Sequence, residues 1–192
     1  MKFPLSLCLL LMVAALSGCG SRGQLAGTSA NRLAQIKEFT QVVVLDFQPN
    51  DKRPVRDPHE QSARDKNINE GRIQFSDRIA QRITESKFFE VVSRKPLTGK
   101  FLVVAGTIDM WEPGNVATRA LTGFIGRSGF ASTITVHDGE TGEELARING
   151  DRNSWPLPIG ASTTIVQTVD YFMNEAASHV ATQLAVAKIA AP

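Results

Sequence analysis

The chain has 192 residues, 42% of them hydrophobic, with 21 Lys and Arg against 19 Asp and Glu and a formal net charge of +2. That length and apolar content suit one domain with a real core. The near-neutral balance lacks the basic field that nucleic-acid binding needs, so no nucleic-acid partner is expected.

The N-terminus carries Lys2 and then an apolar stretch from Leu5 to Leu16, too short to span a bilayer comfortably and shaped like an export signal. Leu16-Ser17-Gly18-Cys19 follows directly and resembles the lipobox of bacterial lipoproteins. The resemblance implies cleavage before Cys19 and acylation of its thiol, with the bilayer as a partner through the acyl chains. Gly20, where Asp is the usual inner-membrane retention residue, implies the outer membrane and a domain facing the periplasm. Loss of Cys8 with the signal leaves Cys19 as the single mature cysteine, so neither a disulfide nor a Cys-based zinc site is expected. The organisation read from the sequence is a signal peptide over 1–18, a lipidated flexible tether over 19–35 and a periplasmic α/β domain over 36–192.

Ser21 to Asn31 is rich in Gly, Ser, Ala and Thr, the composition of a tether. Gln41 to Phe47 is a β-branched run that predicts a central strand covered on both faces. Asn50 to Glu70, dense in charge and broken by Pro54 and Pro58, reads as a long connection and a candidate contact surface. Phe75, Ile79 and Ile83 recur every fourth residue within Gly71 to Ser86, which predicts an amphipathic helix. Lys87 to Ser93 then reads as a strand, and strand, helix, strand in this order predicts a right-handed crossover between parallel strands. Phe101 to Trp111 predicts another central strand, with Gly106 marking a bulge or a close backbone approach.

Phe130 to Asp138 alternates, with Ser132, Ile134 and Val136 on one face and Thr133, Thr135 and His137 on the other. The turn residues Asp138-Gly139-Glu140-Thr141-Gly142 and a return strand from Glu144 to Gly150 complete a hairpin. Asp151 to Ala161 reads as a loop. From about Thr164 to Ala187 a stripe of Val166, Val169, Met173, Ala176, Val180, Leu184 and Ala187 predicts a long helix covering one sheet face.

Chemistry-bearing motifs are sparse. The block from Glu112 to Phe130 places glycines at 123, 126 and 129 among bulky apolar residues and arginines. A phosphate loop would need a helix directly after it, and a strand follows instead. The block reads as a softened connection folded over the core edge, or as a loop that docks through Arg119, Leu121, Phe124, Ile125 and Arg127 on a partner or a lipid surface. Ser128 lacks the glycine two residues on that a nucleophile elbow requires. His59, His137 and His179 are scattered, and Asp57-Pro58-His59-Glu60 has no second cluster to complete a metal shell, so no metal and no cofactor are expected. Asp138, Glu140, Glu143 and Glu144 read as a charged hairpin tip. Asp46 and Asp109 are the carboxylates expected to be partly buried, without a partner visible in sequence.

The segment Gly114 to Phe124 (Gly-Asn-Val-Ala-Thr-Arg-Ala-Leu-Thr-Gly-Phe), the strand to Asp138 and the Thr141-Gly142-Glu143 turn resemble a bacterial lipoprotein family catalogued as domain of unknown function 4410, over most of the chain from Gln41. The order of elements is also similar to the N-terminal domain of the Tol-system periplasmic protein, to a lipoprotein activator of peptidoglycan synthesis and to the curli-secretion lipoprotein. The shorter length and the lack of long lipid-facing strands argue against a pore. The expected fold is a single α/β domain, a mixed sheet of about five strands against two main helices. The expected role is non-enzymatic binding or accessory work in an envelope complex with an unknown protein. The alternatives are a small periplasmic enzyme without a recognisable motif, or a module that self-assembles as a homo-oligomer.

Overall fold

From Leu102 to Glu112 and from Gly129 to Asp138 two long strands pair antiparallel and form the spine of a six-stranded mixed sheet. The computed structural model describes residues 30–55, 57–114, 128–153 and 168–189. In chain order the elements are α1 (Ala30–Ile36), β1 (Gln41–Val44), β2 (Gln48–Pro49), α2 (Pro58–Ser86), β3 (Val91–Ser93), β4 (Leu102–Glu112), β5 (Gly129–Asp138), β6 (Glu144–Asn153) and α3 (Val169–Ile189). The sheet order is β3-β1-β4-β5-β6, with β2 continuing beyond β1 alongside β4. β1 runs parallel to both β3 and β4, so the strand-helix-strand expectation of a parallel pair holds.

Hydrophobic alternation decides which face is covered. Val42, Val44, Leu102, Val104, Ile108, Ile134, Val136 and Ile148 are fully buried under the helices. α2 contributes Ile68, Phe75, Ile79 and Ile83, and α3 contributes Val169, Met173, Ala176, Val180, Leu184 and Ala187, the stripe read from sequence, together with Phe172. α3 packs against both α1 and α2, so the three helices share one layer. Val166, the first member of that stripe, lies outside the described residues.

The helix α2 is longer than its apolar spacing announces. Residues 58–70, expected as part of a long connection, are helical. Asp57 caps the helix by accepting from the His59 amide at 2.9 Å, and Pro58 occupies the first turn, where its missing N–H costs nothing. Between 58 and 70 only Ile68 is buried, so no stripe betrays the helix. Its end is set by Lys87 at φ 62°, whose amide donates to the Thr84 carbonyl. The strand expected over 87–93 is confined to Val91–Ser93. Ala30–Ile36, the end of the stretch read as tether, forms α1 and buries Ile36.

Gly106 is a close approach. A Cβ there would lie 2.0 Å from the Thr133 carbonyl oxygen, and the register shift of β4 falls further on, between Ile108 and Met110. The charged hairpin tip is built as expected: the Asp138 carboxylate accepts from the amides of Glu140 and Thr141, and Gly142 takes φ 73°.

The strand directions give the domain two poles. At one pole lie α1, the start of β4, the β5–β6 hairpin tip and the end of α3. Arg32 reaches Glu143, Lys100 pairs with Glu38, and Lys188 Nζ donates to the carbonyls of Lys37 at 2.9 Å and Phe39 at 2.7 Å. Burial lowers the Lys188 pKa against the pull of Glu90. At the other pole, about 33 Å away along β4, lie the end of β4, the starts of β5 and α2, and the start of α3.

Candidate functional site

The far pole holds a deeply buried carboxylate whose partners come from distant parts of the described chain. Asp51 follows β2 directly, and its side chain is 1% exposed. Arg53 turns back onto it with Nε at 2.9 Å and one terminal nitrogen at 2.7 Å, while the Trp111 amide donates to it at 3.1 Å. Arg64 of α2 approaches at 3.5 Å and donates to the Arg53 carbonyl at 2.7 Å. Arg53 also reaches the Trp111 carbonyl at 2.8 Å and Glu112 at 3.0 Å. Burial by itself would raise the Asp51 pKa, but the Arg53 hydrogen bonds and charge and the Trp111 amide hold it below its ordinary value. The same pairing with Asp51 raises the pKa of Arg53.

This cluster fixes one wall of a cleft over Trp111. One hollow of about 520 Å³ is lined by Arg53, Pro54, Glu60, Arg64, Asn67 and Glu112 around the indole. A second, of about 330 Å³, continues on the other side of Trp111 and Pro113 along Gln74 to Asp170 and Met173 of α3. Gly71 makes the floor possible: a Cβ there would lie 2.1 Å from the indole ring. The ring then meets Phe130 edge-on at 6.1 Å, and Phe130, Phe75 and Phe47 carry the aromatic chain into the core at 4.9 Å steps. Arg78 of α2 holds the α3 end through the Asp170 carbonyl and carboxylate.

The residues singled out by sequence fall on several levels. Cys19, Arg119, Leu121, Phe124, Ile125 and Arg127 lie outside the described residues. The two positions that flank residues 115–127 are described, and the Ser128 hydroxyl donates to the Pro113 carbonyl at 2.8 Å, so that segment leaves and re-enters at the rim of the cleft. Ser128 itself is 1% exposed and is used as a brace. Asp109 does have partners: Asn50 at 2.7 Å, Thr107 at 2.8 Å and Thr133 at 2.7 Å all donate to its carboxylate. Asp46 is half exposed and pairs with Arg94 and, at 3.8 Å, Arg72. His137 sits 3.3 Å from the Gly142 carbonyl at the hairpin tip, remote from the cleft.

Sequence reasoning passed over Asp51, Arg53 and Arg64. The only trace was an Asp-x-Arg pair before Pro54, ordinary in a charged stretch. Among the described residues no three His, Cys, Asp or Glu side chains assemble as a metal site, and no helix is long and apolar enough to cross a membrane. The cleft offers compensated charges, amides, prolines and an indole, a set suited to binding.

Together these features define a two-layer α/β domain with a cleft at the strand-end pole. The chain belongs to the DUF4410 family, domain of unknown function, whose model matches residues 42–157. Its fold is similar to protein XCC0632 from Xanthomonas campestris, of family DUF330, at 8% identity over 79% of this chain and 86% of that one, with a TM-score of 0.48. It is similar to PelC from Paraburkholderia phytofirmans, crystallised as a dodecamer, at 13% identity over 74% and 87%, with a TM-score of 0.45. A candidate lipoprotein from Caulobacter crescentus CB15 follows at 9% identity over 82% and 89%, with a TM-score of 0.34. No curated protein matches the sequence.

Proposed function

We propose that this chain is an outer-membrane lipoprotein, anchored through acylated Cys19, that acts without catalysis as a binding or accessory subunit of a periplasmic envelope complex and engages its partner through the pole opposite its tether. The observation that carries the reading is the separation of the two poles. Ala30 opens α1 at the hairpin-tip pole, and the eleven residues from Cys19 to Ala30 reach at most about 38 Å even when fully drawn out. The cleft lies about 33 Å beyond that pole. A flexible tether of eleven residues spans about 18 Å on average, less than the separation of the poles, so the anchoring leaflet is on average the surface this cleft meets last, and a protein standing in the periplasm is the partner it meets first. Arg119, Leu121, Phe124, Ile125 and Arg127, in a segment that starts and ends at the same pole, are assigned to that contact.

Two variants test the reading together. Cys19→Ala abolishes metabolic lipid labelling and leaves the precursor uncleaved; labelling at the normal level overturns the anchor. Arg119→Glu with Arg127→Glu keeps the circular dichroism spectrum of the parent and reduces recovery of crosslinked envelope protein several-fold. Unchanged recovery removes that segment from the contact.

A further inference from the structure

We infer that the domain rests on phospholipid headgroups of the anchoring leaflet through an apolar, basic corner of the tether pole, where the ends of α2 and α3 meet. The inference rests on the lipid anchor proposed above and concerns a surface remote from the cleft. Among the described residues Ile189 and Val186 are the two most exposed large apolar side chains, at 64% and 51%, and Phe88 is 38% exposed. The fold collects all three at one place. Val186 and Ile189 lie about one turn apart on α3 and line a hollow of about 500 Å³ between α3 and the end of α2, with Arg82, Ser86, Ala181 and Ala185 among its other walls. Phe88 follows directly on Lys87, the residue that ends α2, and the neighbouring Phe89 ring lies 5.2 Å from the Lys188 ammonium, which ties this turn to the end of α3.

Charge sets this corner apart from the rest of the pole. Lys37, Arg82, Lys87 and Lys188 stand there against two carboxylates, Glu85 and Glu90, and the corner is net positive. The acidic hairpin tip, with Asp138, Glu140 and Glu143, occupies the opposite edge of the same pole, because β5 and β6 end the sheet order that β3 begins. Three to four strand spacings separate the two edges, roughly 14–19 Å. An anionic headgroup layer therefore attracts one edge and repels the other. The tether leads to the attracted edge: the Lys37 carbonyl, one residue past α1, lies 2.9 Å from Lys188 Nζ. Apolar side chains flanked by lysines suit a headgroup layer, with the apolar tips toward the acyl boundary and the ammonium groups on phosphate. A protein on this corner would have to stand between the domain and the leaflet that holds it.

The test uses the full lipidated chain in vesicles of phosphatidylethanolamine and phosphatidylglycerol. Acylation of Cys19 leaves an introduced thiol as the single labelling site. A fluorophore on Phe88→Cys or Ile189→Cys is quenched several-fold more by lipid spin-labelled at its headgroup than one on Asn67→Cys in the cleft or Glu140→Cys on the hairpin tip. Val186→Glu with Ile189→Glu, both at exposed positions, keeps the circular dichroism spectrum and the lipid labelling and returns the Phe88→Cys signal to the Asn67→Cys level. The inference is overturned if the corner labels are quenched no more than the Asn67 label or if the Glu pair leaves Phe88→Cys quenching unchanged. A crosslinker at Phe88 that captures a protein instead of lipid in intact cells overturns it too. A lipid-labelled parent with an unquenched corner removes this contact alone, whereas a parent that takes up no lipid label removes the anchor and this contact together.

Discussion

Replacing Asp51 by Asn removes the charge around which the cleft wall is organised while keeping the side-chain shape. In the parent, the carboxylate accepts from Arg53 Nε at 2.9 Å, from an Arg53 terminal nitrogen at 2.7 Å and from the Trp111 amide at 3.1 Å, with Arg64 at 3.5 Å. An amide NH2 in that place faces guanidinium donors, and Arg64, only 11% exposed, loses its counter-charge. Breaking a fully buried pair costs about 3–5 kcal/mol, and because Arg53 is 36% exposed and recovers some solvation, the expectation is about 3 kcal/mol. For a domain of this size that lowers Tm by about 9 °C.

The pH dependence follows from the lowered Asp51 pKa. A folded-state pKa below the ordinary value of 3.8 gives stability that is present above that value and lost as pH falls through the folded value. Urea denaturation of parent and Asp51→Asn at pH 7 and at pH 3 measures both effects, and the gap between them narrows at the lower pH. A difference under about 0.5 kcal/mol at pH 7, or a gap that widens on acidification, refutes the reasoning.

Gly71→Ala sets two effects against each other: helix propensity gains up to about 1 kcal/mol, while a Cβ 2.1 Å from the Trp111 ring costs about 1–3 kcal/mol. Net destabilisation in a thermal melt is expected, and a more stable variant would mean that the indole lies elsewhere. Lys87→Gly relieves a positive φ at the end of α2 and stabilises by about 1 kcal/mol in the same assay.

Long periodic elements were legible. The stripe of α3, the alternation of β5 and the turn chemistry at Asp138 each repeat a physical signal over many residues, so local noise averages out. The first half of α2 was not, because a solvated helix with a single buried Ile68 has no apolar period, and Pro58 reads as a breaker unless its place in the first turn is known. β2 is two residues long and exists only because β4 offers it a ladder beyond the end of β1. The Asp51 cluster was invisible for a similar reason: Arg53 and Arg64 are neighbours of Trp111 only after β2 and β4 have paired. The two-sided burial expected of β1 appears as low exposure, but helices supply only one of its covers.

The measurement that bears most directly on the proposed role is photo-crosslinking in intact cells from a single reactive side chain, placed either at Asn67 in the cleft or at Glu140 on the hairpin tip. The account predicts a discrete protein adduct from Asn67, distinct in mass from a pair of this chain, and none from Glu140. An adduct from Glu140 alone, or only lipid captured at Asn67, would contradict it.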